Sequence, residues 1–242
     1  MAFETIDDLR NSKNIITDFL SDYRKLGELW MPLDIFVISI LNRMSAINDA
    51  FNELTSDSED SGVAAFPLIR LQIDNLLYCY AGTLVDDIME LLGCFVAGNN
   101  WSSLKDKNGN DLKESYLLDG LCEKMGSTVF KMIYKRSSNY IHLSTEHIGI
   151  TLSKSGNEAI KTTIDDNGTY YHGFVTMMLV LNQALLKILT ENYAYTRARS
   201  HEILQEWRLE YPTLSDLDIL DKYGYSNDKF KKMFYRRLRP KE

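Results

Sequence analysis

Histidine is scarce in this chain, four in 242 residues, and the one close pair, His142 and His147, has neither the His-Glu-x-x-His nor the His-x-x-Glu-His spacing. No metal centre and no cofactor are expected on that pattern. A Gly-rich phosphate loop, a Gly-x-Ser-x-Gly elbow and a cysteine–histidine nucleophile pattern are also missing, which removes most common enzyme classes. Cysteine is limited to Cys79, Cys94 and Cys122, an odd number without a Cys-x-x-Cys pair. Each lies in an apolar helical pattern, so reduced, buried thiols are expected. The N-terminus lacks the basic start and apolar run of a signal peptide. The most apolar stretch, 174–189, is broken by Asn182, Gln183 and Lys187 and is too short to span a bilayer comfortably. The expectation is a cytoplasmic protein with no membrane association.

What is present is an ordinary globular composition, 45% hydrophobic and 25% charged, on a chain long enough to bury a proper core. The net charge of −7 argues against a general nucleic-acid coat, but it is polarised. Residues 229–242 hold seven Lys or Arg against one Glu, which leaves −13 on the rest. Apolar residues recur at helical spacing over 3–28, 33–54 and 64–97. The third run is apolar on most faces, as expected of a central helix with several neighbours. A polar connection over 98–115, turning at Asn108-Gly109, leads into helical pattern from Tyr116 to about His142. The period then changes. Ile148, Ile150 and Leu152 alternate, as do Ile160, Thr162 and Ile164, which predicts a small β-hairpin insertion within 147–171. A last long helix is expected from Gly173 to Glu210.

The densest gathering of chemistry is the helix end Tyr134-Lys135-Arg136-Ser137-Ser138-Asn139-Tyr140-Ile141-His142. At about 100° per residue, Phe130, Ile133, Tyr134, Ser137, Tyr140 and Ile141 form the core face, and Lys131, Lys135, Ser138 and His142 fall on another. Arg136 and His142 lie about 120° apart on an ideal helix with Asn139 between them, so they converge only if the helix loosens near its end. A histidine on the last turn faces unpaired carbonyls, which favour the imidazolium. Two readings stand side by side: a site made of Arg136, Asn139 and His142, or a surface charge and a helix-capping histidine. Arg70 and Asp74, one turn apart in the central helix, are likewise an internal ion pair or part of a site.

Arg136, five residues, then His142 near the end of a long helix resembles the signature of the HEPN superfamily, many of whose members are RNases of toxin and phage-defence systems. The text from Tyr134 to His142, with Arg70 and Asp74 on the preceding long helix, looks like an uncharacterised bacterial HEPN-like group. The resemblance implies an all-α bundle of long antiparallel helices over residues 1–210, carrying the β-hairpin insertion. It further implies a homodimer whose composite site cleaves RNA without metal. In such a site His142 transfers the proton, Arg136 clamps the scissile phosphate, Asn139 is a positioning donor, and Arg70, Asp74 and Ser138 are candidate supports. The RNA supplies its own 2′-hydroxyl as nucleophile.

After Tyr211-Pro212, residues 211–242 form a distinct basic helical appendage. Leu220, Gly224, Tyr225, Ser226, Phe230 and Met233 resemble helix-turn-helix spacing. Lys231, Lys232, Arg236 and Arg237 are its candidate nucleic-acid contacts, with Phe230, Phe234 and Leu238 docking on the body. This segment could meet DNA or an antitoxin, or neutralise an acidic surface of its own body or of a second protomer. A non-catalytic dimerisation and binding module is the competing class.

Overall fold

A computed structural model describes residues 3–26, 32–56, 62–97, 101–141 and 167–213. These residues build an all-α bundle. The chain opens with α1 (Ile6–Arg10) and α2 (Ser12–Lys25). A single helix was expected here. The Thr5 hydroxyl accepts the Asp8 N–H while the Asp8 carboxylate accepts the Thr5 N–H, a capping box that starts α1, and Asn11 leaves helical geometry five residues after Ile6. Then come α3 (Pro32–Ser56), α4 (Gly62–Leu84) and α5 (Ile88–Ala97).

The helix expected over 64–97 is therefore two. The Thr83 hydroxyl donates to the Tyr80 carbonyl at 2.7 Å, and Val85-Asp86-Asp87 then leaves the helix with both aspartates in solvent. The Asp87 carbonyl accepts the Glu90 N–H and restarts the helix as α5. Beyond a 3₁₀ turn at Trp101–Ser103, the Asn108-Gly109 turn forms as expected. Gly109 takes φ +84°, and the Asp106 carboxylate accepts the Tyr116 hydroxyl first and then the N–H groups of Asn110 and Asn108, which together hold its pKa well below the usual carboxylate range.

Next are α6 (Glu114–Met125), capped by Gly126 at φ +64°, and α7 (Val129–Ile141). Then come α8 (Asn167–Ile188), a π-helical turn at Leu189–Ala194 and α9 (Tyr195–Glu210). Most of the interval assigned to the hairpin, 147–166, lies outside the described residues. Its last five residues, 167–171, are helical, so the final helix starts six residues before Gly173. Asn and Gly serve helix starts as readily as turns, which is why Asn167-Gly168 misled. The candidate helix-turn-helix of 211–242 lies outside the described residues except for Tyr211–Thr213.

At the centre is α4, packed by α3, α6, α7 and α8. Ile69, Ile73, Leu76 and Leu77 are essentially inaccessible there, and Cys79 and Cys122 are buried as free thiols. The run Gly173–Glu210 is long and apolar enough to cross a membrane by composition, but 61% of its most apolar window is buried inside the bundle. Polar seams cross this core. One joins α4, α8 and α3: the Gln72 amide donates to Asn182, whose own amide donates to Asn48 at 2.9 Å. In the other, Asp34 of α3 meets Arg197 of α9 and accepts the Tyr23 hydroxyl of α2 at 2.9 Å. The π turn places the Tyr193 hydroxyl on the Cys79 carbonyl at 2.7 Å, and a Cβ at Gly82 would collide with that hydroxyl.

Candidate functional site

Three of the residues expected on the core face of α7 are buried, while Tyr134 of that face and Ser138 of the other are both half-buried. Phe130, Ile133 and Ser137 are buried, and the Ser137 hydroxyl donates back to the Ile133 carbonyl at 2.8 Å. Lys131, Met132, Lys135 and Arg136 are exposed, while Ser138 and Asn139 are half-buried. Gly126 and Ser127 set the entry angle: the glycine ends α6 in the left-handed region, and the Ser127 hydroxyl accepts the Val129 N–H at 3.3 Å. Thus α6 folds back against α7, and an ion pair between Asp119 and Lys131 bridges the two on the outside.

Across from α7, Arg70 of α4 reaches over the Tyr134 ring with its guanidinium carbon 4.2 Å from the centroid. Its Nε donates to the Ser138 hydroxyl at 3.2 Å and a terminal nitrogen donates to the Tyr134 hydroxyl at 3.1 Å. On the carboxylate side it pairs with Asp74, one turn along α4, and lies 3.7 Å from Glu114 at the start of α6. The Tyr134 hydroxyl in turn donates to Glu114. Burial first, and then the Glu114 carboxylate, raise the Tyr134 pKa, so the phenol keeps its proton and works as a donor. Three helices are thereby tied at one point through a half-exposed network of one cation, two carboxylates and two hydroxyls.

Of the residues singled out by sequence, Arg70, Asp74 and Ser138 come together in this network. Arg136 and Asn139 share α7 with Ser138, but neither is among the partners of Arg70 described above. His142 lies outside the described residues, as do Lys231, Lys232, Arg236 and Arg237. Sequence reasoning missed Glu114, which comes from the first turn of another helix, and gave Tyr134 no partner. The only local signal was helix-phase proximity of Tyr134 to Ser138, one turn apart. Among the described residues no group of three His, Cys, Asp or Glu is placed to hold a metal ion. His201 is half-buried on α9 with Gln205 3.3 Å away, remote in sequence from this network.

The arrangement fixes α7 about its last two turns. Arg70 has hydroxyl, ring and carboxylate partners at once, and these contacts tie α4 to α6 and α7. Lys135 and Arg136, on the same helix, are turned to solvent. No family model, curated protein or solved structure matches this chain.

Proposed function

We propose that this protein is a HEPN-like helical protein of bacterial defence, toxin–antitoxin or RNA metabolism, working in the cytoplasm as a metal-independent endoribonuclease with a composite site on a homodimer. The observation that supports the reading is the Arg70 network, which grips Ser138 and Tyr134 and so holds the segment that leads to His142. In the proposed site His142 carries the proton, Arg136 binds the scissile phosphate and Asn139 positions it; Arg70, Asp74 and Ser138 keep α7 in place. The test is RNA cleavage by the wild type beside His142→Ala, with chelator present.

A composite site requires two copies. Light scattering at micromolar protein is expected to give twice the 27.9 kDa chain mass. A monomer at that concentration removes the composite site and leaves the all-α fold untouched.

A second reading has its own observation. Arg70 is met by two carboxylates, Asp74 and Glu114, so the network carries excess negative charge beside the place a phosphate would occupy. Ser137, next to Arg136, is buried and turned to the core. Both suit a non-catalytic helical module that contacts DNA or a partner protein through its basic C-terminal segment. In that case alanine at Lys231, Lys232, Arg236 and Arg237 together weakens DNA binding and flattens its salt dependence, the slope falling by about 0.9 for each phosphate that is no longer neutralised. An unchanged slope in a fluorescence titration discards DNA reading by this segment.

A further inference from the structure

A cleft of about 440 Å³ opens where α4 gives way to α5 and the π turn gives way to α9. Its apolar lining comes from Leu33, Val85 and Ile88, and its charged lining is three carboxylates, Asp86, Asp87 and Glu191, against one cation, Lys107. Tyr195 stands at its edge with 69% of its surface exposed, a large aromatic left in solvent beside acids. An apolar floor under an acidic rim suits an amphipathic basic segment, whose apolar side chains enter while its cations meet the rim. The chain contains one. Phe230, Phe234 and Leu238 recur every four residues, interleaved with Lys229, Lys231, Lys232, Arg236, Arg237 and Arg239.

We infer that this cleft is the docking site of the chain's own basic C-terminal segment, residues 229–239. The reach is sufficient. The wall of the cleft includes Tyr195, Thr196 and Ser200 at the start of α9, and that helix carries the chain about 24 Å away over its 16 residues. The fifteen residues between Thr213 and Lys229 can span up to about 50 Å, so the segment can return. The cleft is too small for a whole helix and takes one or two aromatic side chains, with Tyr195 offering its ring face to a Lys or Arg. The polarity of the chain, +6 on its last fourteen residues and −13 on the remainder, is then expressed as an intramolecular contact. Docking hides cations that any nucleic acid would need, so occupation of the cleft and binding of a polyanion compete. The inference does not depend on the RNase reading.

The experiment is limited trypsin digestion of the full chain, with the cleavage rate after Lys229, Lys231, Lys232, Arg236 and Arg237 followed by mass spectrometry. The rim is reversed with Asp86→Lys and Glu191→Lys, both exposed; Asp87 is kept because it stands at the start of α5. The pair is expected to speed cleavage of the segment at least about tenfold, as is salt at roughly half molar, where exposed charges are screened. Phe230→Glu with Phe234→Glu alters none of the described residues and is expected to do the same, which keeps the test valid if the rim variant folds poorly. Wild-type rates in both variants overturn the proposal. Protection that grows with protein concentration assigns the cleft to the tail of a second copy and overturns the intramolecular contact.

Discussion

RNA cleavage is expected to fall by about 10² or more when His142 is replaced by alanine, and by a similar factor for Arg136→Ala. The first change removes the proton carrier and the second removes a cation that must stabilise charge on the phosphate. A factor of 10² corresponds to about 2.7 kcal/mol of transition-state stabilisation, the scale of one lost acid–base group or oxyanion donor. Arg136 is exposed on α7, so its loss should leave stability within about 0.5 kcal/mol of wild type, and the two effects separate cleanly. Chelator should leave the rate unchanged, because the 2′-hydroxyl attack proposed here uses no metal. The comparison is made at matched folded concentration. Equal rates for wild type and His142→Ala assign any cleavage to another site or a contaminant. Absence of cleavage by the wild type across several RNAs favours the binding module.

The fold class was readable because helix period is a local signal: the apolar stripe of α7 and the all-round apolarity of α4 are both written in consecutive residues. Boundaries were less readable where a local polar group competes with the helix ladder. Asn11 ends α1, and the Thr83 hydroxyl with Asp86 and Asp87 ends α4, yet each lies inside a pattern whose apolar spacing continues undisturbed. The π turn is invisible to a fixed 100° phase because its two buried residues, Leu189 and Tyr193, are four apart, as they would be on one face of an α-helix. At the candidate site, the pairing of Arg70 with Asp74 was legible as an i, i+4 relation on one helix. Glu114 was not, because it reaches Arg70 only after α6 folds back, and nothing in its own neighbourhood distinguishes it from any exposed acid at the start of a helix. Arg197 was hidden in the same way: on α9 it reads as one more surface charge in an increasingly polar stretch.

Arg197 is nevertheless where the largest loss of stability is expected. Its side chain is 4% exposed and Asp34 is fully buried, and the two form an ion pair that joins α9 to α3. The Arg197 Nε donates to the Tyr23 carbonyl at 3.0 Å and the guanidinium lies 4.8 Å from the Tyr23 ring centroid, so α2 is held as well. Burial, followed by the Asp34 charge, pushes the Tyr23 phenol well above its ordinary pKa, which keeps its hydroxyl donating to Asp34. Arg197→Met retains the stem of the side chain but leaves the Asp34 carboxylate without its cation in the core. Such a change costs about 3–5 kcal/mol, a large share of the total stability of a typical domain. Tyr23→Phe removes one hydrogen bond to a charged group and should cost less, about 1.5–3 kcal/mol. The informative partner is the double replacement Asp34→Leu with Arg197→Met, which takes away both charges together. It should recover most of the loss, because the attraction inside the pair is largely offset by the cost of removing both ions from water. Urea midpoints of the four proteins measure this directly. A single Arg197→Met variant within about 0.5 kcal/mol of wild type, the range of an ordinary surface change, would mean that water reaches Asp34 and that the α2, α3 and α9 junction is not held by this pair.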